Sequence, residues 1–158
     1  MIRITKQTDY GIVLLTHLAA MPDRQVNAPD LAAETHLPLP MVSKILKLLV
    51  REGLLVSHRG VKGGYGLSRP AEEISMAEVV SALEGPIAIT ECVDDDSGCS
   101  HAPICPVRGR WNRINTALRQ ALAGISLAEM ADSPRPEAKL VTLRGRPVAA
   151  GAPLRQEL

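Results

Sequence analysis

Apolar residues recur at three- and four-residue spacings through the first fifty positions. Tyr10, Val13, Leu14 and Leu18 do so within residues 7–20, which predicts an amphipathic helix with Thr8 and Asp9 as cap or first-turn residues. Met21-Pro22-Asp23 ends it. Asn27-Ala28-Pro29 is a helix-start signal, Asp30 suits the first turn, and His36-Leu37-Pro38 breaks that short helix. A third helix opens at Pro40 and runs to Glu52. Val42, Ile45, Leu46 and Leu49 line one of its faces, while Lys44, Lys47 and Arg51 lie mostly on another. Gly53 stands where helices commonly end in a left-handed residue.

The period then shortens. Residues 54–59 read as a strand, Gly60-Val61-Lys62-Gly63-Gly64 as a turn, and residues 65–68 as the returning strand, giving a β-hairpin with a basic tip. Ser75-Met76-Ala77-Glu78 is a capping box ahead of an apolar run that ends at Leu83, and Gly85-Pro86 stops it. Asp94, Asp95, Asp96 and Gly98 exclude regular structure from the next stretch. Pro106 opens a longer helix at or near its first position, with Val107, Trp111, Ile114, Leu118 and Leu122 as its stripe and Gly124 as its end. Ser126-Leu127-Ala128-Glu129 is a second capping box, for a short helix near Met130. Beyond Asp132 the periodicity disappears, and Pro134, Pro136, Pro147 and Pro153 predict a disordered tail.

Composition narrows the fold. Hydrophobic residues make up 46% of the 158, enough for a core, but aromatics only 2%. An aliphatic core suits packed helices better than a β-sandwich, and base stacking on single-stranded nucleic acid is disfavoured. The net charge of +1 conceals a division: residues 1–69 hold nine Lys and Arg against five acids, whereas residues 70–105 hold eight acids and no Lys or Arg. An anionic partner is therefore expected for the first part only. No apolar run nears the ~20 residues that span a bilayer. Arg3, Lys6 and Asp9 interrupt any leader-like stretch, so a cytoplasmic protein is expected.

Helix, short helix, tight turn, helix and glycine-tipped hairpin is the order of a winged helix-turn-helix, so the fold class is mainly α. Such a unit places the N-terminal residues of its second motif helix, here Pro40, Met41, Ser43 and Lys44, near base edges in the major groove. Lys47 and Arg51 lie nearer phosphates, and the wing offers Arg59 and Lys62. A protein-binding module with a solvated lysine face is the plainer alternative. Gly63-Gly64 either shapes a turn or lets the backbone approach DNA closely.

All three cysteines fall within fourteen residues, as Cys92-x6-Cys99-x5-Cys105. A reducing compartment and an odd count argue against structural disulfides. The spacing is not that of a zinc ribbon. Three thiolates can converge on one soft-metal site, with an iron–sulfur cluster as the leading candidate. Zinc, a thiol redox switch and three unrelated cysteines remain alternatives. His101 lies inside the loop and Asp94, Asp95 and Asp96 nearby, but a fourth ligand is not evident.

The opening Ile4-Thr5-Lys6-Gln7-Thr8-Asp9-Tyr10-Gly11, the segment Val42-Ser43-Lys44-Ile45-Leu46, the wing Arg59-Gly60-Val61-Lys62-Gly63-Gly64-Tyr65 and the cysteine loop together resemble the Rrf-two family of winged-helix regulators. The resemblance covers residues 1–132, and its nearest subgroup is the regulators of the SUF iron–sulfur assembly system. It implies a homodimeric repressor carrying a 2Fe–2S cluster. By that resemblance residues 1–85 form the DNA-binding domain, 86–105 the cluster loop, and 106–132 the dimerisation helix with a short following helix. Cys92, Cys99 and Cys105 become cluster ligands, residues 40–44 the tip of the recognition helix and Arg59 a minor-groove contact.

Two departures qualify this. IscR-like members carry a His three residues after the last cysteine, where this chain has Arg108. NsrR-like members use an Asp in the first helix of the partner subunit, a position matched by Asp9. Asp9 is thus the leading fourth ligand and His101 the second candidate. IscR-like members also carry a Glu in the recognition helix, where Ser43 stands here. The expected function is cluster-sensing repression of iron–sulfur assembly genes. A nitric-oxide or redox-sensing repressor on the same scaffold and a zinc-stabilised protein-interaction module are the rivals. No nucleophile constellation or phosphate loop points to an enzyme.

Overall fold

A computed structural model describes residues 3–60, 63–93, 99–100 and 104–132. The predictions made for Lys62, Asp94, Asp95, Asp96, His101 and the tail from 133 onward lie outside them. The described chain is mainly helical with one two-stranded sheet. Its helices are α1 (Lys6–Ala19), α2 (Ala28–Thr35), α3 (Leu39–Arg51), α4 (Met76–Glu84), α5 (Arg108–Ala123) and α6 (Leu127–Ala131). Strands β1 (Leu55–His58) and β2 (Gly64–Leu67) form the hairpin between α3 and α4.

Helix α1 starts one residue earlier than its periodicity predicts, and its cap is Thr5 rather than Thr8. Thr8 instead lies fully buried, and its hydroxyl donates to Glu84 Oε1 at 2.6 Å, while the Thr5 backbone N–H donates to the same oxygen at 2.8 Å. These bonds fasten the start of α1 to the end of α4. They also hold the Glu84 carboxyl below its ordinary 4.5, the Thr8 hydroxyl bond being the larger cause. A carboxylate with a depressed folded-state pKa stabilises fully above the unfolded value, and the contribution is lost as pH falls through the folded one. Thr8→Val is therefore expected to give a shallower loss of stability below about pH 5 than the parent chain, as read by urea midpoints across pH.

The buried face of α1 is Gly11, Leu14, Leu15 and Leu18, with Val13 outside it at 39% exposure. It packs on Leu31 of α2, on Val42, Ile45, Leu46 and Leu49 of α3, and on Met76, Val79 and Leu83 of α4. Asn27 caps α2 by accepting from the Asp30 N–H at 2.8 Å, and His36 closes that helix in the left-handed region at φ 57. Gly53 follows α3 at φ 75, as expected for the residue that ends it.

Leu55 pairs with Leu67 and His58 with Gly64 across the hairpin. A third short segment joins through Val26, whose carbonyl accepts from the Tyr65 N–H at 2.9 Å and whose N–H donates to the Tyr65 carbonyl at 3.2 Å. This gives Gly64 a role inside the fold. A β-carbon there would lie 2.8 Å from the Val26 backbone nitrogen. Gly64→Ala is expected to cost about 1–3 kcal/mol by overpacking, measured by chemical unfolding.

Both capping boxes form, at Ser75–Glu78 and Ser126–Glu129. They also meet: the Met76 N–H donates to the Ile125 carbonyl and the Leu127 N–H to the Ile74 carbonyl, at 2.9 and 2.8 Å. Leu127 is fully buried in the main core. Helix α6 thus closes the N-terminal unit, while α5 packs along α4 and a 3-10 turn at Glu91–Val93 and reaches the core through Leu122. Helix α5 begins at Arg108 rather than Pro106, since residues 106–107 still turn.

Candidate functional site

Helix α3 presents two opposed faces. At about 100° per residue, Pro40, Lys44, Lys47 and Arg51 fall within roughly a 60° arc, and Val42, Ile45, Leu46 and Leu49 lie opposite. The four buried residues are at 0% exposure, so the cationic arc is held outward by a rigid core contact. Ser43 and Met41 flank the arc half-buried. No side-chain oxygen caps the α3 N-terminus, unlike those of α1, α2, α4 and α6. Its positive dipole end is therefore not answered by a local cap. Arg59 follows β1 and is exposed at the hairpin end. Pro40, Lys44, Lys47 and Arg59 are thus exposed, and Met41 and Ser43 partly so.

The three cysteines are free thiols and half-buried. Cys92 sits in the 3-10 turn, its Sγ 3.2 Å from Thr90 Oγ1. Among the described residues no three His, Cys, Asp or Glu side chains form a group able to hold a metal ion, so Cys92, Cys99, Cys105 and Asp9 of one chain are not gathered. Asp9 is exposed in the first turn of α1. Three soft thiol donors fit an iron–sulfur cluster in kind and fall one short of its four protein ligands. They are not preassembled around one.

Helix α5 departs from its predicted stripe. Trp111, Leu118 and Leu122 turn toward the chain's own interior, but Ile114 is 49% and Val107 42% exposed. The position between Trp111 and Leu118 on the inner seam is Asn115, the one buried residue of the helix. Its amide accepts from the Ile89 N–H at 3.1 Å and donates to the Ile87 carbonyl at 2.9 Å. Arg108, at the start of α5, donates from Nε to the Cys92 carbonyl at 3.1 Å. Sequence reasoning missed Asn115 because it counted apolar residues only. The signal was its place four residues after Trp111 and three before Leu118.

Comparison with known proteins settles the scaffold. Residues 4–133 match the Rrf2 family, described as iron-dependent transcriptional regulators. The chain belongs to the Rrf2 family. It is 36% identical over 120 residues to the protein aau3 of Rhizobium meliloti, a match covering 76% of this chain and 74% of that one. Among solved structures, CymR, the global cysteine regulator of B. subtilis, superposes with a TM-score of 0.66 at 26% identity, covering 83% of this chain and 97% of the other. IscR of T. potens superposes with a TM-score of 0.63 over 82% and 85% of the two chains, a likeness of fold at 22% identity. This Rrf2-family chain is accordingly a transcriptional regulator of the winged helix-turn-helix class and not an enzyme. No helix among its described residues is long and apolar enough to cross a membrane.

Proposed function

We propose that this chain is a homodimeric, cytoplasmic repressor of iron–sulfur assembly genes, of the SUF-regulator type, whose operator affinity follows a cluster held by Cys92, Cys99 and Cys105. Residues 1–85 bind duplex DNA through Pro40, Met41, Ser43, Lys44 and Lys47 of α3 and through Arg59 and Lys62 of the wing. Residues 86–105 carry the cluster, and α5 within 106–132 meets its copy through the outward Val107 and Ile114. Asp9 of the opposite subunit is the fourth ligand, which is consistent with its exposure. Residues 133–158 act as an appendage to this machinery.

The observation that carries the reading is the joint presence of a rigidly presented cationic arc on α3 and three free, half-buried thiols in a segment bonded to α5. A 2Fe–2S cluster bound there supplies reversible one-electron chemistry and lability toward oxidants. The chain's own residues do the rest. The thiols order the segment that leads into α5, α5 sets the spacing of two recognition helices, and that spacing decides operator affinity.

Partial exposure of the thiols favours a second reading, a nitric-oxide or redox sensor on the same scaffold. Anaerobic purification with iron, sulfide and zinc analysis and a visible spectrum tests the proposal. Near-equal iron and sulfide with visible charge-transfer bands is the expected result, and Asp9→Ala should lose both. Zinc without sulfide, or no metal after anaerobic reconstitution, overturns the cluster reading and leaves the DNA-binding half. Loss of DNA binding at stoichiometric nitric oxide, with no response to iron depletion, favours the second reading.

A further inference from the structure

Segment 85–90 connects α4 to the first cysteine and has no ladder of its own. An unpaired backbone on an apolar surface is unfavourable, because buried amide and carbonyl groups need partners. Here the partner is a side chain. The Asn115 carboxamide has the same donor and acceptor as a peptide group, and it meets the segment as a neighbouring strand would, with one bond to Ile87 and one to Ile89. At 6% exposure it is satisfied on both sides. Two turns earlier on the same helix, Arg108 grips the Cys92 carbonyl. Three hydrogen bonds from one helix therefore hold three successive points of the segment, ending at the first thiol.

We propose that Asn115 and Arg108 are positioning residues that fasten the Cys92 segment to α5, so that Cys92 moves with α5. Arg108 occupies the place where the resemblance would put a fourth ligand, and it holds the cysteine backbone instead of a metal. The consequence for regulation rests on the cluster reading above, while the clamp itself does not. An aspartate at 115 could not donate to Ile87, and leucine could make neither bond, so the amide is specific to the task.

The test uses the full chain. In the metal-free reduced protein, alkylation rates of Cys92, Cys99 and Cys105 are followed separately by mass spectrometry. A typical net hydrogen bond corresponds to roughly a fivefold change in local opening. Asn115→Leu, which loses two bonds, is expected to raise the Cys92 rate about twenty-five-fold, and Arg108→Gln, which loses one, about fivefold, with Cys99 and Cys105 little changed. Arg108 lies at the helix start and half-exposed, so its variant keeps the test intact if Asn115→Leu fails to fold. DNA affinity of the metal-free variants should match the parent, and the ratio of cluster-bound to metal-free affinity should fall toward one.

A uniform rise at all three thiols, or none at Cys92, overturns the clamp. If the parent assembles no cluster but Cys92 alone is released in both variants, the clamp stands and the cluster reading falls.

Discussion

Ile45→Ala is expected to remove a large share of the protein's stability. Ile45 is fully buried on α3 among Leu14, Leu31, Leu46 and Leu49. Truncating such a side chain leaves a cavity and costs about 2–5 kcal/mol. Domains of this size are stable by only about 5–15 kcal/mol. The urea midpoint should drop sharply with the slope unchanged, while Lys47→Ala, two positions along on the opposite face, should leave it within about 0.5 kcal/mol. Equal effects at the two positions would mean that α3 is not held by one face. The consequence reaches function, because the orientation of Lys44, Lys47 and Arg51 depends on that contact.

Lys47 and Arg51 replaced together by glutamine carry the second large effect. Each phosphate contact contributes about 0.9 to the slope of log K against log salt. Loss of two should flatten that slope by about two units and weaken binding on the order of fiftyfold near 0.1 M salt. The loss should be nearly uniform across sequences, because phosphate contacts position the protein and do not read bases. Substitution of Ser43 should instead shift sequence preference with little change in slope. Duplex binding titrations across salt measure both. An unchanged slope in the double variant would move the interface off α3.

The parts of this molecule that obey local rules were legible in the chain. The α3 stripe, the Asn27 start, Gly53 and the two capping boxes each follow from side-chain periodicity or from a hydrogen bond a few residues long. The hairpin followed from its glycines. What escaped depends on tertiary partners. Thr8 reads as a cap or first-turn residue and stands in the first turn, yet it is buried and its hydroxyl bonds to Glu84, seventy-six residues on. Gly64 reads as turn or DNA-facing, yet Val26 requires its missing side chain. Helix α5 reads as one apolar stripe, yet its inner seam includes a buried amide and its outer residues Val107 and Ile114 stay exposed. The cysteines could be counted and spaced, but spacing does not say whether thiols converge, and in one chain they do not.

The outward face of α5 and the unassembled thiols bear on one idea. Ligands from two chains and a loop tied to the helix between them would make assembly of the site and spacing of the recognition helices a single event. Such coupling is a difference in affinity between two states and must appear as one. The direct measurement is the affinity for a duplex selected by this protein itself, compared between anaerobically reconstituted and metal-free dimer at one fixed salt concentration. The account predicts affinities that differ by at least about tenfold, within the usual range of coupling between two sites. Equal affinities in the two states would contradict it.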